Sequence, residues 1–173
     1  MMGHKILGSW SGMRKYLENE MLAESLRGRV RYNCTSYVGM DGCRIFEVYI
    51  DNEVVKQFSL ETVNTYFINQ GLKKDSDESG IRQYWDGFWN LMFDSQTKNR
   101  TEYIDVEFAS ALEKYRNQSI NESIDSPDPL VRMFAILDRR IGKRRLKEQK
   151  CLIDLQPEWL QKFYRLRIDA ENV

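Results

Sequence analysis

The sequence predicts an α+β fold with an N-terminal helix, a three-stranded antiparallel meander and a mainly helical C-terminal part. Apolar residues follow helical spacing at the start, alternate strictly over 29–58, and return to helical spacing after residue 59. Turn-forming residues, Met40-Asp41-Gly42 and Asp51-Asn52, divide the alternating stretch into three runs. Asp128-Pro129 and Gln156-Pro157 then open helical stretches near the C-terminus. A single domain over 1–173 is expected, with a helix/strand/helix half (1–72) against a helical half (81–173).

In the opening helix, Ser9 or Ser11 serves as cap, and Trp10, Met13 and Leu17 line one side. Glu18, Glu20 and Glu24 belong to the solvated side, and the helix should fail between Ser25 and Gly28. Val30, Tyr32, Cys34 and Val38 then share one strand face. A hairpin loop at 40–42 would set Cys34 opposite Val48 and Tyr32 opposite Ile50, with Cys43 opposite Gly39. The tighter Asp51-Asn52 turn would bring Val48 to Val55 and Glu47 to Lys56, an opposite-charge pair. Ser59 caps the next helix, which ends at Gly71.

Helix, three strands, helix is also the element order of double-stranded-RNA-binding domains. Those place lysines at the start of the second helix, where this chain has Ser59-Leu60-Glu61-Thr62, so the likeness stops at element order.

Lys73 to Gly80 reads as a charged surface loop. Beyond it Tyr84, Trp85, Phe88, Trp89 and Phe93 crowd one helix with more apolar surface than one face can hide. That helix is either a central element packed on two sides or a contact patch, with Trp85 and Trp89 as its candidate residues. Thr101 to Ile120 reads as a surface helix capped by Thr101, with Ile104, Phe108, Ala111, Leu112 and Tyr115 buried; 117–125 reads as a loop. From Asp128, Leu130, Phe134, Leu137 and Ile141 form a buried stripe that runs into Arg139, Arg140, Lys143, Arg144, Arg145, Lys147 and Lys150. The helix bends or ends after Gly142; if it continued, Arg139, Lys143, Lys147 and Lys150 would share one side. A last helix with Trp159, Leu160, Phe163, Tyr164 and Ile168 closes the core.

Formal charge is zero overall but uneven: residues 1–125 carry 15 basic and 19 acidic groups, residues 126–173 carry 11 and 7. The basic part either docks on the acidic part or meets nucleic acid, with Arg139, Arg140, Lys143 and Arg144 as candidate contacts. No apolar run reaches the ~20 residues of a membrane span, and no secretory h-region is present at the N-terminus, so a cytoplasmic protein without membrane contact is expected. Three cysteines without CxxC spacing suit thiols in a reducing compartment.

Catalytic signals are sparse. His4 is the sole histidine and lies in the N-terminal tail, which leaves triads and multi-histidine metal sites without their central residue. Phosphate-loop patterns are missing. Glu102, Asp105 and Glu107 suggest a metal site, but favourable placement at a helix start explains the first two more simply. No cofactor, metal or catalytic residue is expected. Around Asp138, Arg139 and Arg140, a salt-bridge network is the simpler reading than arginine–carboxylate chemistry.

Three segments, SLRGRVRY within the region from Trp10 to Tyr32, DPLVRMFAILDRRIGKRRL and QPEWLQKFYRLRIDAE, resemble a family of small, uncharacterised bacterial proteins. The resemblance implies bacterial origin and cytoplasmic residence, with no activity attached. The expected function is a non-enzymatic protein-binding module, of immunity or accessory type, or one that self-associates. The alternative is a nucleic-acid-associated protein binding phosphates through residues 139–150.

Overall fold

The computed structural model describes residues 9–35, 44–73, 78–94 and 100–173. Ser9 Oγ accepts from the Gly12 N–H (3.2 Å) and opens α1 (Trp10–Lys15), which continues into a π-helical stretch, Tyr16–Met21. The helix ends at Met21, short of the expected Ser25–Gly28. Leu22 turns extended and bridges Asp138, and Ala23 N–H donates to Leu137 O (3.0 Å). A tertiary contact outcompetes continued helix there. Glu18 also departs from its solvated expectation: its carboxylate accepts from Tyr32 N–H (2.7 Å) and Arg14 Nε (3.0 Å), and so covers part of a strand edge.

The strands β1 (Val30–Thr35), β2 (Ile45–Ile50) and β3 (Glu53–Phe58) form an antiparallel sheet in chain order. In the observed register Cys34 faces Phe46 and Tyr32 faces Val48, two residues from the expected pairing. An even shift leaves every side chain on its expected face, so Val30, Tyr32, Phe46 and Val48 are still buried. The 40–42 loop, Val38, and the placement of Cys43 and Gly39 fall outside the described residues.

Asp51 and Asn52 make the predicted tight turn, both at positive φ (50° and 72°), which suits a hairpin. Beyond it Tyr49 pairs with Val54 but Val48 pairs with Lys56, leaving Val55 as an extra residue. This bulge overturns the expected Val48–Val55 and Glu47–Lys56 pairs. Glu47 faces Gln57, and Lys56 turns to the buried side of the sheet.

That side packs on α4 (Asp105–Asn117) and α6 (Pro129–Leu137) through stacked and edge-on aromatics: Phe46–Phe108 at 4.4 Å, Phe108–Phe134 at 5.3 Å and Tyr115–Phe134 at 5.5 Å between centroids. Asp128 caps α6 through Leu130 N–H (2.9 Å), with Pro129 in the first turn as expected. The stripe of α4 matches its prediction, but its cap does not. The helix starts at Asp105 and the Glu107 carboxylate accepts from Ile104 N–H (2.8 Å), while Thr101 stays outside. The expected 117–125 loop contains a short helix, α5 (Ile120–Ile124), held by reciprocal bonds between Ser119 and Glu122. The last helix, α8 (Glu158–Ala170), buries Leu160, Phe163, Tyr164 and Ile168 against this core.

A smaller cluster of Val63, Phe67, Phe88 and Ile104 lies between α2 (Leu60–Asn69) and α3 (Glu78–Phe93). Ser59 caps α2 as predicted, and Gly71 follows it at φ +104°. Helix α3 begins inside the segment expected as a loop, of which 74–77 lie outside the described residues. The expectation of a central element packed on two sides is overturned: α3 covers α2 with one side and leaves large apolar groups outward.

Candidate binding surfaces

The apolar arc of α3 is wider than the partner beneath it. Tyr84 and Phe88 point inward, and Trp85 is half-buried against the small cluster. Ile81, Trp89 and Phe93 are 49%, 40% and 82% exposed. The Trp89 and Phe93 rings stack at 6.1 Å and 27°, while Phe88 meets Trp89 edge-on at 5.2 Å. A buried phenylalanine thus backs an exposed aromatic pair, with exposed Arg82 and Asp86 on the polar side of the helix. Of the two tryptophans singled out in the sequence, Trp89 is on the surface and Trp85 serves both core and edge. Phe93, not singled out beside the two tryptophans, joins Trp89 on the surface, and its four-residue spacing places it in the same row.

The basic segment does not form one face. Helix α6 ends at Asp138, and a new helix, α7 (Lys143–Lys150), begins after Gly142. The Asp138 carboxylate causes the break. It accepts from Arg140 N–H (2.7 Å), from the Arg140 guanidinium at 2.7–3.1 Å, and from the Tyr115 hydroxyl, and its side chain is fully buried. These bonds hold residues 138–140 out of helical geometry. Burial, followed by the neighbouring carboxylate, pushes the Tyr115 hydroxyl pKa far up, and the bond to Asp138 raises that of Arg140. Arg140 is therefore engaged as the partner of the buried Asp138 carboxylate, in line with the salt-bridge reading. Arg139 anchors by its backbone, N–H to Met21 O (2.8 Å), and its side chain is exposed.

Lys143 and Arg144 point outward on α7, with Arg144 3.9 Å from Glu148. Arg145 is bound to Asp125 (2.5 Å) and Glu148 (2.6 Å). Ion pairs of the basic third are mostly local, including Arg165–Asp154 and Arg167–Glu171, so docking on the acidic part explains little of the asymmetry.

A polar cluster that the sequence did not reveal surrounds Lys56. The bulge carries its ammonium inward, where it donates to Thr101 O and to Glu102 (3.1 Å) and lies 5.2 Å from the Trp159 ring and 5.7 Å from that of Tyr103. Burial lowers the Lys56 pKa despite Glu102, and raises Tyr103 to about 12. Beside it the Arg100 guanidinium pairs with Glu107, whose pKa burial raises although Arg100 opposes the shift. Only the bulge signals this cluster, and a single sequence does not reveal a bulge.

The carboxylates once weighed as metal ligands diverge: Glu102 to Lys56, Asp105 to Arg44 N–H (3.0 Å), Glu107 to Arg100. Among the described residues no group of three or more metal-ligating side chains converges, and no helix is long and apolar enough to cross a membrane.

The chain belongs to the SF0329 protein family, whose family model matches residues 9–168. No curated protein and no solved structure matches it.

Proposed function

We propose that this member of the SF0329 protein family is a non-enzymatic protein-binding module whose contact face is the outer row of α3. The observation that carries the reading is the exposed Trp89–Phe93 stack, continuous with Ile81 and the rim of Trp85. Exposing large aromatic rings side by side forgoes the favourable burial that folding gives such groups elsewhere in the chain. Aromatic anchors backed by a rigid core are the usual centre of a protein interface. A bacterial, cytoplasmic setting and a role of immunity or accessory type belong to the same proposal.

The test is quantitative capture by the full chain from its host, comparing the wild type with Trp89→Ser/Phe93→Ser. Phe93 is 82% and Trp89 40% exposed, so the double variant should stay folded with a modestly lowered melting temperature, and lose a specific protein partner that Phe93→Ser alone, folded like the wild type, already binds more weakly. Retention of every captured protein by the double variant refutes the reading. The alternative, phosphate binding, would rest on Arg139, Lys143, Arg144 and Lys147, which point outward. It requires oligonucleotide affinity that falls steeply between low and moderate salt.

A further inference from the structure

We propose that the outward side of α7 and the turn after it form a docking surface for an acidic protein segment that carries apolar side chains. Lys143, Lys147 and Cys151 follow one another at four-residue spacing, all exposed, with Arg144 beside them, while Leu146 and Gln149 take the buried side. Among the described residues Lys143 and Lys147 make no ion pair, and Lys143 acts on Glu171 only at longer range. The Arg144 side chain is 97% exposed.

Three cations, Lys143, Arg144 and Arg145, occupy the first turn of α7, and no acid accompanies them there. Aligned peptide dipoles make that end of a helix positive, so cations at it are disfavoured. Arg145 is repaid by Asp125 and Glu148; Lys143 and Arg144 gain nothing comparable within the fold. An anionic partner would reverse the sign of this interaction.

The chain then presents Leu152 and, in the 3-10 turn Ile153–Leu155, Leu155, which is 78% exposed. The leucines select among anionic partners. A phosphodiester backbone makes no use of them, and α7 with the turn after it, residues 143–155, contains no aromatic ring to stack a base. Two leucines at a tight turn fall short of the apolar face by which a helix lies in a membrane interface. An acidic protein surface with an apolar socket uses both parts, carboxylates over the lysines and the socket around Leu155. This surface is independent of the α3 reading.

The test uses fluorescence anisotropy with the full chain and four probes: a labelled peptide of alternating glutamate-rich and leucine-rich turns, polyglutamate of equal length, a single-stranded oligonucleotide, and phosphatidylglycerol vesicles. The amphipathic peptide should bind tightest. Leu155→Ser should weaken it about tenfold, as loss of one buried leucine implies. Lys143→Glu/Lys147→Glu should weaken it at least as much and flatten its salt dependence. Trp89→Ser/Phe93→Ser should leave it unchanged, which separates this surface from α3. Equal affinity for polyglutamate, tighter binding of oligonucleotide or vesicles, or indifference to Leu155→Ser overturns the proposal.

Discussion

At Lys56 a single side chain shows how backbone geometry sets chemistry. The ammonium is 5% exposed and its carboxylate partner, Glu102, 30%. Removing the carboxylate leaves a buried cation without its counter-charge, whereas replacing the lysine by an apolar chain of similar length removes the cost of desolvation with it. Glu102→Ala should therefore destabilise by about 2 kcal/mol, and Lys56→Met by less than about 1 kcal/mol, in urea denaturation. Equal losses would show that the cation itself is needed.

The pH dependence follows from the same burial. Between the depressed folded pKa of Lys56 and its ordinary value, the unfolded chain holds a proton that the folded chain lacks, so this residue adds stability as pH rises through that window. Tyr32, Tyr103, Tyr115 and Tyr164 act oppositely, since burial raises all four. Their contribution is complete below the ordinary tyrosine value and disappears at higher pH. The whole chain should lose stability above pH ~10, and Lys56→Met should lack the gain that the wild type draws from Lys56 as pH rises toward the ordinary lysine value. Parallel curves for the two proteins would contradict the shift assigned to Lys56.

Among the elements, the α6–α7 break is the most informative. Asp138 is followed by Arg140, and an aspartate that accepts from a backbone N–H two residues on is a known helix competitor. That local signal was present in the sequence, yet the apolar stripe continued through Ile141 and outweighed it. What the sequence could not supply is the Tyr115 hydroxyl, which reaches Asp138 from another helix and completes the buried carboxylate's bonds. Tyr115→Phe should cost about 1–2 kcal/mol by leaving one oxygen of Asp138 short of a donor, and Asp138→Ala clearly more. A thermal melt of both variants checks the order, and equal or reversed losses would place the break elsewhere.

Legibility differed among elements for similar reasons. The caps Ser59 and Asp128 act within a few residues and are legible in the sequence, and of the two candidate serines at the first helix Ser9 is the one that caps it. The Ser119–Glu122 capping box was equally local but was passed over in a polar stretch. The meander's faces were legible because alternation defines them, while its exact register depended on a loop length and a bulge. The exposure of Trp89 follows from a helix with more apolar surface than one face can hide, and the Asp138–Arg140 pair, two residues apart, is legible as a salt bridge; the Tyr115 bond that completes it is not, because it joins elements distant in sequence.

Across the whole molecule, the two ends of the chain are tied by one buried cation. Arg167 of α8 is 3% exposed and donates to Ile141 O (3.2 Å) and Ser25 Oγ (3.2 Å), while pairing with Glu171. Ser25 in turn donates to Glu171 (2.7 Å), so the turn before β1, the α6–α7 connection and the last helix meet at one guanidinium. Removing it strands a buried carbonyl and a carboxylate together. Arg167→Ala should cost about 3 kcal/mol, against at most about 0.5 kcal/mol for Arg165→Ala, whose pairing with Asp154 is exposed. Ser25 and Arg167 also hold the Glu171 carboxyl below its ordinary pKa. The unfolded chain then binds this proton first as pH falls, so the tie contributes stability above the usual glutamate range and loses it through the depressed value. Acid unfolding of Glu171→Gln should accordingly be less steep than that of the wild type. An unchanged acid limb together with a small Arg167→Ala loss would mean that α8 is held by its apolar face alone.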